Sequence, residues 1–230
     1  MTTQIVILAA GMGSRLGRSL PKSLTELNDG RTIMQQQFEN IDHTFGKDAK
    51  VTIVVGYKLE HIIESFPDAD FVYNEQYDQT NTSKSLMRAL QASSSGGVLW
   101  MNGDVVFDPA ILDRVLPHVQ ADESFVSVNT SSVADEEVKY TTTPDGFIKE
   151  ISKTVVGGLG EAIGINYVSS RDKATLLRQL QRVEAQDYFE RGLELSIQQN
   201  GMRVLPIDVS DLWAVEVDFA EDLEKANLYV

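Results

Sequence analysis

Apolar positions fall in two periods along the chain. Ile5-Val-Ile-Leu-Ala-Ala10 is an unbroken apolar run ending in Gly-Met-Gly, the pattern of a strand buried on both faces. Val51–Val55 and Gly97–Met101 repeat it, and Phe71–Tyr73 is a shorter run between them. Helical spacing separates these runs. Met34, Phe38, Ile41 and Phe45 share one helical face, and Thr32 is placed to cap it. Ser83 is placed to cap a second helix carrying Leu86, Met87 and Leu90. This alternation continues to about residue 117 and predicts an α/β fold with a parallel, doubly wound sheet.

The second half changes character. Phe125–Asn129, Val138–Thr142, Phe147–Ile151 and Ala162–Val168 are short strand-like segments, with a hairpin signal at Asp145-Gly146. Helical stretches follow near 171–184 and 187–199. Arg203–Ile207 and Ala214–Val217 predict two more strands, and a last helix starts near Phe219. Ser93–Gly97 predicts a loop, and Ala134-Asp-Glu-Glu137 a solvated turn. No internal repeat or long linker divides the chain, so residues 1–230 are expected to form a single domain, with a small β-rich insertion at about 125–170.

Composition narrows the chemistry. The chain carries 20 Lys plus Arg against 34 Asp plus Glu, a formal net charge of −14. That argues against a nucleic-acid partner held by bulk charge. The absence of cysteine removes disulfides, thiolate metal sites and a Cys nucleophile. The first apolar run is far shorter than the roughly 20 residues of a membrane span. No membrane partner and a cytoplasmic location are therefore expected.

The most informative segment is Leu8-Ala-Ala-Gly-Met-Gly-Ser-Arg-Leu-Gly-Arg-Ser-Leu-Pro-Lys22. Glycines after a buried strand let backbone N–H groups approach a ligand, and Arg15 and Lys22 add positive charge. Together they suit a triphosphate. A dinucleotide fingerprint would need glycine where Leu16 stands, and a P-loop would need Gly-Lys-Ser/Thr where Lys22 follows Pro21. A tight turn bearing two surface cations is the bland alternative.

Leu-Ala-Ala-Gly-x-Gly-x-Arg followed by Pro-Lys resembles the signature of nucleotidyltransferases that join a nucleoside triphosphate to a phosphorylated small molecule. Tyr73-Asn-Glu-Gln-Tyr77 with Asn81-Thr-Ser-Lys-Ser-Leu86 resembles a block of the bacterial choline-phosphate cytidylyltransferase group, with Thr82 in place of its second asparagine. Asn102-Gly-Asp104 and Val215-Glu-Val-Asp218 resemble that group's metal-binding aspartate and its C-terminal acidic ending. The resemblance spans about residues 4–228 and implies a GT-A/Rossmann-like fold, with a mostly parallel central sheet flanked by helices and an acceptor-binding insertion.

The reaction it implies is attack by a phosphate or phosphonate oxygen on the α-phosphorus of the nucleotide, expelling pyrophosphate. The nucleophile is already anionic, so catalysis rests on positioning and charge neutralisation, not on a general base. His43, His61 and His118 are accordingly surface or packing residues. Mg²⁺ suits this charge problem, and Asp104, Asp218 and Glu216 are its candidate ligands. Asp218 also competes as a helix cap, and Asp104 as a loop carboxylate.

The resemblance places Lys22 on the triphosphate and Arg15 on the departing phosphates. Leu8, Ala9, Ala10, Gly11, Met12, Gly13 and Ser14 would form the nucleotide loop, with Gly56, Asn81, Ser85 and Asp104 nearby. Lys153 would meet the acceptor's phosphate, and Glu161 and Tyr188 the rest of the acceptor. Trp100 belongs to the core, whereas Trp213 could serve core or site. The favoured reading is CMP transfer from CTP to a small phosphorylated alcohol or phosphonate, phosphocholine-like. Alternatives are a UTP- or dTTP-dependent sugar-1-phosphate nucleotidylyltransferase, a methylerythritol-phosphate-type cytidylyltransferase, and a nucleotide-binding regulatory module. A homodimer through the 125–170 insertion is consistent with the resemblance.

Overall fold

The computed structural model describes residues 2–13, 20–131, 133–134 and 136–230. Its elements run β1 (Thr3–Ala9), α1 (Ile33–Phe45), β2 (Ala49–Val55), α2 (Leu59–Ser65), β3 (Asp70–Tyr73), α3 (Thr82–Ala92), β4 (Val98–Asn102), β5 (Val105–Phe107), α4 (Ala110–Gln120) and β6 (Phe125–Asn129). There follow β7 (Lys139–Thr142), β8 (Ile148–Ser152), β9 (Glu161–Val168), α5 (Lys173–Arg182), α6 (Phe189–Asn200), β10 (Leu205–Asp208), β11 (Ala214–Glu216) and α7 (Ala220–Ala226).

The central sheet has the order β10-β6-β9-β4-β1-β2-β3. Pairings within β4-β1-β2-β3 and between β10 and β6 are parallel. Strand β9 is antiparallel to both β4 and β6. Strand β1 explains the unbroken apolar run. Ile5, Ile7 and Ala9 face one core with Met34 of α1 and Ile111 of α4, whereas Val6, Leu8 and Ala10 face another with Leu86 of α3 and Phe189 of α6. Both faces exclude water, so neither tolerates alternate polar positions. Trp100 is fully buried on the second face and meets Phe189 edge-on at 5.5 Å.

Two sequence expectations shift. Of the segment 125–170, β6 and β9 lie in the central sheet, and the β7–β8 hairpin is what stands off its path. The hairpin rests on α6 through β8 and touches the sheet where Lys139 pairs with Glu161. The expected cap Ser83 is fully buried inside α3, while Asn81 Oδ1 caps the helix by accepting from Thr82 N–H at 2.8 Å. Thr32 caps α1 in a reciprocal box with Gln35, as its spacing predicts.

A polar stripe on α1 secures the strand ends that carry the site. Gln37 Nε2 donates to the carbonyls of Asn102 and Val105, both at 2.8 Å. Gln36 Nε2 and Asn40 Nδ2 both donate to the Phe107 carbonyl, at 2.6 and 2.9 Å. These amides hold the segment between β4 and β5 in place, and that segment contains Asp104. Gln37→Leu keeps the volume but deprives two carbonyls of a donor. Its expected cost is about 1–3 kcal/mol, read as a lower urea midpoint. A midpoint equal to that of the parent would show that α1 is held by its apolar face alone.

Candidate functional site

Strands β1 and β4 run side by side and end together, and the chain beyond them builds the floor of a cleft. Gly103 donates its N–H to the Leu8 carbonyl at 2.9 Å. A Cβ at position 103 would lie only 2.8 Å from that same oxygen, so glycine alone permits the approach. Asp104 is thereby delivered to the sheet's C-terminal edge, where open α/β sheets bind ligands.

Asp218 arrives from the far end of the chain. The antiparallel pair β5–β11 aligns Val105 with Glu216, and Val217 N–H donates to the Asp104 carbonyl at 2.9 Å. Asp222 then accepts from the N–H groups of Asp218 and Phe219 at 3.0 and 2.8 Å, fixing the turn into α7. Asp222 therefore does the capping that Asp218 was an alternative for. Carboxylate oxygens of Asp104, Glu216 and Asp218 lie within 4.8 Å of one another. Glu216 reaches solvent, and desolvation by its close neighbours first, then the charges of Asp104 and Asp218, push its pKa upward.

Lys22 sits against this cluster. Its Nζ donates to Asp104 Oδ2 at 2.6 Å and also to Asp218 Oδ1. Gly13, at φ +56°, packs against the lysine stem, and a Cβ there would lie 2.8 Å from Lys22 Cβ. Burial alone would lower the Lys22 pKa, but Asp104 and Asp218 outweigh it and hold the ammonium above its ordinary value. The donor set fits a divalent metal. It is all oxygen, three carboxylates converge, and Asp104 Oδ1 is buried without a hydrogen-bond partner.

The cleft has a volume of about 660 Å³, enough for a nucleotide and a small second ligand. Of the residues singled out in the sequence, Leu8, Ala9, Gly11, Gly13, Lys22, Asn81, Asp104, Lys153, Tyr188, Glu216 and Asp218 line it. Ser14 and Arg15 lie outside the described residues. Met12 is exposed beside the loop, and Ala10 is buried with its carbonyl accepting from Tyr57 N–H at 3.1 Å. Gly56 serves packing: a Cβ there would meet the Ala10 carbonyl and Tyr77 Cβ, each at 2.6 Å. Ser85 Oγ accepts from Asn74 Nδ2 at 3.1 Å, a bond that ties the end of β3 to α3. Glu161 accepts from Ala134 N–H at 3.3 Å and so steadies the loop before β7.

At the other end of the cleft Lys153 Nζ lies 5.1 Å from the Tyr188 ring centroid. Three acids missed in the sequence share this end. Glu136 and Glu137, read as a solvated turn, line the cleft, and Glu137 is half-buried with its pKa raised by desolvation and then by Glu161. Glu190, in the first turn of α6, also lines it, and only 9% of its surface is open to solvent. Burial pushes Glu190 up to about 7, against the smaller opposing effects of its own backbone N–H and of Lys153. The sequence offered a signal in Asp187-Tyr-Phe-Glu190, where the exposed tyrosine drew attention from the buried acid beside it.

The geometry brings a lysine and an acidic cluster together in one cleft, and the comparisons show the family. The model of the MobA-like NTP transferase domain matches residues 5–189, and the chain belongs to that family of nucleotidyltransferases. It is 27% identical over 264 aligned positions, 96% of its length, to CMP-5'-(3-aminopropyl)phosphonate synthase of Streptomyces rubellomurinus, and covers 38% of that protein. It is 26% identical over 135 residues, 56% of its length, to Bifunctional protein GlmU of Acaryochloris marina, and covers 29% of it. The chain thus spans well under half the length of these curated relatives. Among solved structures it superposes on CTP:phosphocholine cytidylyltransferase from Streptococcus pneumoniae with a TM-score of 0.77 and 16% identity, covering 99% of both chains. The inositol-1-phosphate CTP transferase from T. maritima gives 0.78 and 16%, covering 100% of this chain and 98% of that one. No helix of the described residues is long and apolar enough to cross a membrane.

The Glu190 environment carries a stability signature. A carboxyl whose folded pKa is raised keeps its proton in the fold to a higher pH than when unfolded. Stability is therefore lost as pH climbs from about 4.5 to about 7. Glu190→Gln removes that loss. It should raise stability at pH 8 by up to roughly 3 kcal/mol and change little near pH 4.5. Thermal unfolding at both pH values checks this. An equal effect at the two pH values would mean that the carboxyl ionises freely.

Proposed function

We propose that the chain transfers CMP from CTP to a small phosphorylated alcohol or phosphonate, phosphocholine-like, and releases pyrophosphate with Mg²⁺ as the required metal. The observation that carries this reading is the convergence of Lys22, Asp104 and Asp218 at the end of the β1 loop. It sets a cation and a metal-competent acidic cluster where a triphosphate would lie. The choice of CTP draws on the blocks at 73–86 and 215–223 and on the name of the Streptomyces relative that aligns over nearly the whole chain.

The residues divide the work by charge. Gly11 and Gly13 turn the backbone beneath the nucleotide, and Gly103 keeps that floor shallow. Lys22 exchanges carboxylate partners for phosphate oxygens and neutralises charge that grows on the pyrophosphate. Asp104, Asp218 and Glu216 would hold Mg²⁺, which supplies Lewis-acid polarisation of the phosphate and offsets the repulsion between two anions. Arg15 would join Lys22 on the departing phosphates. Lys153 holds the acceptor's anionic oxygen in line, and Tyr188 covers the acceptor's other end.

Incubation with each of the four nucleoside triphosphates and a panel of phosphorylated acceptors, followed by pyrophosphate measurement, tests the reading. CTP with a small phosphorylated alcohol or phosphonate is expected to give the fastest release. No release from any pair in the presence of Mg²⁺ would overturn the proposal, and release with UTP and a sugar 1-phosphate alone would redirect it. Asp104→Asn is expected to lower turnover about a hundredfold or more while the unfolding midpoint holds. Unchanged turnover would remove Asp104 from the site.

A further inference from the structure

The acceptor end of the cleft is acidic in a way that a phosphate-binding pocket is not. Among the described residues Glu136, Glu137 and Glu190 line it around Lys153. Of these Glu190 is the most demanding. Its Oε2 is buried and has no hydrogen-bond partner. Lys153 does not satisfy it: no ion pair within 4.0 Å joins the two among the described residues, and the lysine lies instead against the Tyr188 ring. A buried carboxylate oxygen without a partner is costly, and native proteins rarely keep one without use.

The missing partner is defined by chemistry. The oxygen needs an N–H or O–H donor, and the surrounding acids favour one that is positively charged. A quaternary ammonium brings charge but no N–H, and it is normally held by several aromatic faces. Here Tyr188 is an exposed ring and Phe189 is turned into the core against Trp100, while the cleft's other exposed ring, Phe219, follows Asp218 at the carboxylate cluster. Resting on the transferase reading above, we infer that the acceptor carries an N–H-bearing ammonium group, which donates to Glu190 while Lys153 takes its phosphoryl oxygens. The acceptor is then a small zwitterion, and Glu190 selects for a protonated amine over both a methyl group and a trimethylammonium.

The probes are phosphoethanolamine, phosphocholine and propyl phosphate, the last of which replaces the ammonium by an isosteric methyl. Binding of each is measured by calorimetry with Mg²⁺ and a non-hydrolysable CTP analogue, and pyrophosphate release is followed in parallel with CTP. The amine is expected to bind at least about tenfold more tightly than either rival, the scale of one charge-assisted hydrogen bond. In Glu190→Gln, whose folding is checked by the unfolding curves above, the advantage over propyl phosphate should fall by about tenfold. Equal or weaker binding of the amine, or an advantage that survives Glu190→Gln intact, overturns the inference. Amine-selective binding without pyrophosphate release from any pair would uphold the subsite and sink the transferase reading instead.

Discussion

Three carboxylates gathered within 4.8 Å repel one another unless a proton or a nearby cation offsets their charge. At an effective dielectric constant of about 20, each pair of ionised groups repels by roughly 3 kcal/mol. The ammonium of Lys22 meets this requirement by donating to both Asp104 and Asp218. Much of the architecture serves that one contact. Gly13 braces the lysine, Gly103 brings Asp104 to the edge of β1, and the β5–β11 pair returns the chain's C-terminal segment to the same point. Among the described residues the cleft is itself acidic, with Lys22 and Lys153 set among carboxylates, so an anion there would need a bound cation alongside Lys22.

The two ends of the cleft solve opposite electrostatic problems. Near β1 the carboxylates are placed to share a cation. Near α6 they outnumber Lys153 among the described residues, and Glu190 is held in a buried position that weakens the fold above neutral pH. A site that sacrifices stability for a carboxyl with one unpartnered buried oxygen is a common mark of binding function.

The sheet was legible because both faces of its strands are buried and the apolar runs are unbroken. Of the Leu8–Lys22 segment, Gly13 was legible, because its positive φ and its contact with the Lys22 stem both call for glycine. Strand β5 was not legible: three residues following Asp104 become a strand only by pairing with β11, more than 100 positions away. Gln36, Gln37 and Asn40 read as a polar helix face, and only the structure shows them buried against carbonyls of β4 and β5. Glu190 escaped notice for a similar reason, since burial of a charged side chain is decided by neighbours distant in sequence. Ser83, expected as a cap, lies buried inside α3, and Ser85, expected near the nucleotide, accepts from Asn74 Nδ2.

The central claim is that Lys22 and a divalent metal compete for the oxygens of Asp104 and Asp218. Titration of Mn²⁺ into the nucleotide-free protein, followed by its electron paramagnetic resonance signal, tests this most directly. Lys22→Met is predicted to bind Mn²⁺ at least about tenfold more tightly than the parent, because the ammonium no longer occupies the carboxylates. Identical affinities in the two proteins would contradict the account.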